Sequence, residues 1–477
     1  MKEIVEMEEE NSRYMRWKQT TKALLGAVRK ETCQPYSIPV VPDDLRKWNE
    51  SAYMPKVVSI GPRYKGRREL LQTEEIKWRC VSSLLSRTFG LDAMERCMEA
   101  VMELDAAVRA SYVDEITLDR YALATTMVFD GCFLLELLIC ESKLDAEIPI
   151  PFNCISLGIE VKKMEYVITD LLLLENQIPI FILETLFEKL LGSSHQMREL
   201  IQNLALPLFG FAGKLMDRST FHFLDIAYAY IEMGWIDKNT EEENDTHTVT
   251  GTKLSVQEQH LNRCAIRLKA AGITIQPLRN NVDPGLINFK FTTKFNKSKR
   301  KLQIPTLIIT QTTEVSWRNF IAWEHHKKKL KTSSSSSVAD KRSICTSSAF
   351  LFRDLICCTG DVQLLKNRGV IVDHSEKSNR DLVSFFHSIA RGVDRGIIDP
   401  QHTTMFHDLN TFPSAYYATK IFILICHFFL QNFRLVLQCS QIFKARLQLC
   451  CYHSDFSHFC PDLLRNRRLS LCKVSRR

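Results

Sequence analysis

Residues 127–139 read Met-Val-Phe-Asp-Gly-Cys-Phe-Leu-Leu-Glu-Leu-Leu-Ile. The stretch sits in a longer run, Tyr121 to Cys140, whose apolar side chains point all around a helix of 3.6 residues per turn. A helix that is apolar on every side belongs in the middle of a core. Its two acids, Asp130 and Glu136, must then be paired, partly exposed or near a terminus, because an isolated buried charge is expensive. A second apolar block lies at Val167 to Leu191, where Asp170-Leu171-Leu172-Leu173-Leu174-Glu175-Asn176-Gln177 leads into Ile178-Pro179. Pro179 removes a helical donor, so the block predicts two helices broken before it. Glu175, Asn176 and Gln177 are then placed to cap the second helix.

The same periodicity extends outward in both directions. Leu70 to Leu85, Leu91 to Tyr112, Leu200 to Trp235, Leu254 to Ala271, Ser316 to Leu330, Phe350 to Lys366 and Arg380 to Val393 all carry helical spacing. Gly272 is placed to end the Leu254 helix. Ile273 to Ile309 reads as strands, with Ile287, Phe289 and Phe291 alternating against Leu286, Asn288, Lys290 and Thr292. Cys33 to Pro62 is loop-like because five prolines keep interrupting it. The predicted fold is mainly α: a multi-helix globular body with a small β-sheet element near residues 273–309.

Four regions follow along the chain. Residues 1–32 form an acidic, variable N-terminal segment. Residues 33–394 form the globular domain, with a polar loop at 237–252 and a Ser-rich loop at 332–348. Residues 395–437 diverge in character and hold a candidate membrane helix at 415–433. Residues 438–477 are a basic, Cys-rich tail.

Charged residues make up 25% of the chain and hydrophobic ones 45%, which excludes wholesale disorder. The net charge of +8 is split between an acidic start and a basic end, so it predicts local patches rather than a nucleic-acid surface. Met1 to Thr21 is charged and carries no apolar run, so despite sixteen cysteines no disulfides are expected in the main body.

The blocks Pro39-Val40-Val41-Pro42, Val58-Ser59-Ile60-Gly61-Pro62, Lys77-Trp78-Arg79, Met127 to Leu137, Asp170 to Pro179, His222 to Asp225, Arg318 to Ala322 with Glu324, and Asp361-Val362 recur in one order. Together they resemble the plant "domain of unknown function 247" family, also catalogued as uncharacterised protein family 0481. The resemblance covers roughly residues 33–388. It implies a plant protein with one membrane-spanning helix near its C-terminus, and some grass members are associated with pollen-side self-incompatibility. The family has no established catalytic activity or cofactor, so no active-site residue carries over. The family's aromatic-proline-tryptophan turn has no counterpart here, and the resemblance fades beyond Asp394. The apolar run Ile421 to Leu430 is shorter than the roughly 20 residues a span needs.

Candidate chemistry is sparse. Cys450, Cys451, His453, His458, Cys460 and Cys472 lack the paired spacing of a zinc site, so no metal site is expected. Gly61 to Arg68 lacks the lysine-hydroxyl ending of a phosphate loop. No Gly-x-Ser-x-Gly elbow, His-Glu-x-x-His helix or dinucleotide fingerprint is present. Asp130, Asp170, Glu175, Asn176, Gln177, Arg318 and Glu324 are the residues singled out as structural or interaction candidates. The expected function is non-enzymatic recognition or signalling through a protein partner. The body is then cytosolic and membrane-attached through 415–433, or soluble if that segment does not span. The alternatives are an enzyme using the buried acids, or a weak nucleic-acid binder. No cofactor, small-molecule substrate or specific nucleic acid is expected.

Overall fold

The computed structural model describes residues 37–87, 91–141, 161–191, 197–215, 219–240, 260–278, 293–331 and 343–413, with isolated positions outside these ranges. The architecture is mainly α, as the periodicities predict, with two small sheets where one sheet element was expected. In chain order the helices are α1 (Asp43–Arg46), α2 (Leu71–Arg87), α3 (Leu91–Glu103), α4 (Asp105–Ala110), α5 (Arg120–Glu141), α6 (Val161–Asp170), α7 (Ile180–Leu191) and α8 (Met197–Leu208). They continue as α9 (Phe223–Thr240), α10 (Ala265–Ala270), α11 (Thr313–Lys331), α12 (Ile344–Leu355), α13 (Thr359–Asn367), α14 (Asn379–Ile389) and α15 (Pro400–Thr411).

Helix α5 is the axis of the core. Helices α2, α3, α7 and α8 pack around it, which is why its sequence is apolar on every side. A Cβ on Gly131 would lie 2.3 Å from Leu186 Cδ1, so the glycine makes room for that leucine of α7 against α5. Among the described residues α5 is also the one helix long and apolar enough to cross a membrane, and it is mostly buried in this core. The candidate membrane helix at 415–433 lies outside the described residues, apart from His427 and Phe428.

The expected strands take two forms. β1 (Thr274–Leu278) pairs in parallel with β3 (Lys301–Pro305), which pairs antiparallel with β2 (Lys294–Asn296). β4 (Leu307–Ile309) pairs in parallel with β5 (Ile371–Asp373). The alternating stretch 286–292 lies outside the described residues.

Several boundaries differ from the periodicities. Of the stretch read as helix from Leu254 to Ala271, residues 254–259 lie outside the described residues, 260–264 are not helical and α10 covers Ala265–Ala270; its end at Gly272, with φ +87°, is as expected. The amides of Leu261 and Asn262 are taken by the side chains of Asp354 and Asn410, which hold that segment extended. Asp237–Thr240, read as loop, continues α9, and residues 241–252 lie outside the described residues. Helix α12 begins inside the stretch read as a Ser-rich loop, whose residues 332–342 are likewise outside. The helix expected over Phe350 to Lys366 is two helices with Ile356-Cys357-Cys358 between them.

Helix α15 lies in the stretch that reads as divergent, yet its Phe406 and Leu409 are buried in the common core. Asp399 caps it, accepting from the amide of Gln401 at 2.9 Å, and Pro400 opens its first turn. His402 on this helix is 3% exposed, and neither ring nitrogen has a hydrogen-bond partner among the described residues. Burying two unmet polar atoms is costly. His402→Leu is therefore expected to stabilise the protein by about 1 kcal/mol, read as a rise in the urea midpoint. A fall of that size would show that the imidazole has a partner.

Candidate functional site

The segment from Ser37 to Gly66 has few backbone partners of its own, because its prolines suppress helix and its described strand pairing is a single bridge from Ile38 to Tyr112. Its amides must be satisfied some other way. Side chains from the break between α6 and α7 do this. That break spans residues 171–179, so it consumes Leu171 to Leu174 as well as the polar triplet.

Asp170, the last residue of α6, accepts from three successive amides: Lys56 at 3.0 Å, Val57 at 2.7 Å and Val58 at 2.9 Å. Burial pushes its pKa up to about 7, while the three amides act to lower it. Asn176 accepts from the amide of Ile60 at 2.8 Å and donates to the carbonyls of Val58 and Asp170. Gln177 donates to the carbonyls of Leu171 and Leu173, both at 2.7 Å, and its oxygen accepts from Leu224 in the first turn of α9. Glu175 accepts from the amide of Val41 at 2.8 Å, from the hydroxyl of Tyr64 at 2.9 Å and from Arg46, and it pairs with Arg63 at 3.2 Å. The triplet therefore does not cap α7. It serves chain segments more than a hundred residues away and the start of α9, because those are where unpaired amides lie.

Asp130 sits below this layer, fully buried on α5. It accepts from the amide of Gly61 at 2.7 Å and pairs with Lys77 Nζ at 2.6 Å. Lys77, also fully buried, donates further to the carbonyl of Ser59 and to Glu74. Burial opposes its charge, but Asp130 and Glu74 outweigh that cost and hold its pKa above the usual lysine value. Gly61 has φ +80°, and a Cβ there would meet the carbonyl oxygen of Gln177 at 2.5 Å, so only glycine fits where the segment crosses the break. Glu136, the other acid of α5, accepts from Ser83 Oγ at 3.0 Å.

A second cluster follows the same logic. Arg318 on α11 donates to Glu314 at 2.9 Å and to Ser388 at 3.1 Å. Asn319 accepts from the amide of Leu174 at 2.9 Å and donates to the carbonyl of Ala52, joining α11 to the break. Glu324 accepts from the amides of Cys345 and Thr346, from Thr346 Oγ1 and from Tyr228. It thereby caps α12 from a different helix, which starts that helix in a serine-rich stretch.

Burial pushes the Glu324 pKa up to about 7, against the pull of its donors. A carboxyl raised in the folded state contributes stability that is full below its unfolded pKa of about 4.5. That contribution is lost as pH rises through about 7. Between pH 5 and pH 8 the wild-type chain is therefore expected to lose on the order of 3 kcal/mol relative to Glu324→Gln, measured by urea unfolding at both pH values. Parallel pH profiles for the two proteins would contradict this.

Sequence reasoning missed Lys77 and Asn319 as members of these clusters. Lys77 did leave a signal: with Thr73, Cys80, Val81 and Leu84 it lies on the buried stripe of α2, where a lysine needs a partner.

Above the break lies a recess of about 320 Å³, lined by Ile38 to Val40, Pro62, Arg63, Lys65, Tyr112, Asp114 to Leu118 and Glu175. Asp130 and Asp170 do not line it. Its charged side chains are of both signs, and Arg63 bridges Glu175 to Asp114 across it.

Residues 38–444 match the family model DUF247, described as a plant protein of unknown function. The match runs past Asp394, where the motif resemblance stops. The chain is 27% identical over 419 residues to UPF0481 protein At3g47200 of Arabidopsis thaliana, covering 83% of this chain and 80% of that relative. It is 25% identical over 168 residues to a second UPF0481 protein of the same plant, At3g02645, covering 35% of this chain and 30% of that one. No solved structure matches the chain.

Proposed function

We propose that this chain, which belongs to the plant protein family DUF247, works as a non-enzymatic recognition protein in signalling. One observation carries the reading: the buried carboxylates of Asp130, Asp170 and Glu175 are all engaged by the chain's own amides, hydroxyls and cations. A general base needs a free lone pair aimed at a substrate in an accessible site. Asp130 and Asp170 lie outside the recess, and Glu175, which borders it, has four donors around it. What remains accessible is the mixed-charge rim, chemistry suited to holding a polar segment of a protein partner. The body works on the cytosolic side of a membrane, attached through 415–433.

Quantitative affinity capture from plant tissue tests recognition. Glu115 is an exposed residue of the recess. Glu115→Arg is expected to lose a defined set of partners at an unchanged melting temperature. Capture of the same partners by both proteins would refute a role for the recess. Carbonate extraction of membranes carrying the full-length tagged chain tests attachment, and release into the supernatant would exclude a span.

A further inference from the structure

Residues 93 positions apart in sequence meet where α10 and α13 begin. Cys264 Sγ, Cys357 Sγ and a carboxylate oxygen of Asp361 all lie within 4.8 Å of one another. Cys358 adds a third sulfur, 3.4 Å from Asp361 Oδ2. In a tetrahedral zinc site, bonds of about 2.3 Å to sulfur and about 2.0 Å to oxygen set ligand–ligand edges somewhat under 4 Å. Small rotations of the Cys264 and Cys357 side chains therefore close that three-ligand set, and Cys358 stands beside it as a neighbour of Asp361.

The cluster is also built rather than incidental. Asp361 is fully buried, and its two oxygens accept from the amides of Ile266 at 2.9 Å, Cys357 at 3.0 Å and Cys358 at 3.2 Å. Those amides belong to the same two segments that carry the cysteines, so one carboxylate locks both in register. Ligands of a metal are typically held by such outer hydrogen bonds. Cys264 is buried, whereas Cys357 and Cys358 face solvent, which leaves an entry path on one side.

We propose that Cys264, Cys357 and Asp361 form a three-ligand binding site for a thiophilic divalent cation of the zinc class. Sulfur donors exclude magnesium and calcium, which take oxygen ligands, and a compact set of two sulfurs and one oxygen, with water in the fourth position, suits zinc. Each thiol that binds releases its proton to solvent, so uptake is accompanied by acidification and strengthens with pH. The bound ion would staple the start of α10 to the start of α13, which the Asp361 carboxylate already joins through the amide of Ile266.

Cobalt(II) titration of the reduced, full-length chain under anaerobic conditions tests this. The expected result is a thiolate-to-cobalt charge-transfer band saturating at one equivalent and abolished by added zinc. Cys357→Ser is expected to weaken cobalt binding at least about tenfold. Because Cys357 is exposed, that variant should keep the melting temperature of the metal-free wild type. Cys450→Ser/Cys451→Ser, in the tail, should leave the band intact. Two results would overturn the proposal: no band, or a cobalt affinity unchanged by Cys357→Ser.

Discussion

Asp170→Ala is expected to lower the unfolding free energy by about 4 kcal/mol or more, since each buried amide left without an acceptor costs about 1–3 kcal/mol. Three amides depend on that one carboxylate, those of Lys56, Val57 and Val58. The carbonyl of Asp170 also holds Asn176, so a shifted α6 terminus disturbs the next clamp as well. Asp170→Asn should fall between, because its amide oxygen still accepts while its amide nitrogen faces a donor. Urea unfolding followed by tryptophan fluorescence reads the series. Limited proteolysis should cut first near residues 56–58 in the alanine variant. A loss below about 1 kcal/mol would mean that water or a rearranged backbone satisfies those amides.

Lys77→Met should cost about 3–5 kcal/mol, the usual result of removing one partner of a buried ion pair. The methionine fills much of the volume, but Asp130, whose pKa burial already raises, loses its cation and must stay charged at high cost or take up a proton. The double variant Lys77→Met/Asp130→Asn should recover most of the loss, since asparagine is neutral and still accepts from Gly61. The coupling between the two changes is thus large and favourable. If the double variant is as unstable as the single one, the ammonium matters for its bonds to Ser59 and Glu74 rather than for neutralising Asp130.

The helical body was legible because burial leaves a period. The all-round apolar character of residues 121–140 marks α5 as central, and the central position follows from packing on four sides. The clamps were less legible. Glu175, Asn176 and Gln177 precede a helix, so local reasoning hands them that helix as a cap. Their real partners are Val41, Ile60 and Leu224, and a donor–acceptor pairing between distant irregular segments leaves no period in either. Residue type was informative even so. Asp130 and Glu136 on an apolar helix required partners, and Lys77 on the apolar stripe of α2 was the matching surplus. The start of α12 was illegible for a different reason: its cap, Glu324, comes from another helix. The cysteine cluster shares that difficulty, because Cys264 and Cys357 are neighbours only after folding.

The clamped segment also has a history imposed by the order of synthesis. Ile60 leaves the ribosome 116 residues before Asn176, its acceptor. At roughly 5–20 residues per second the interval is on the order of ten seconds. Throughout that interval the proline-rich strip lacks the Asp170, Glu175 and Asn176 side chains that take its amides, and it stands partly bare to whatever binds nascent chains. Speed of elongation between codons 60 and 177 is therefore a quantity this protein's yield should track.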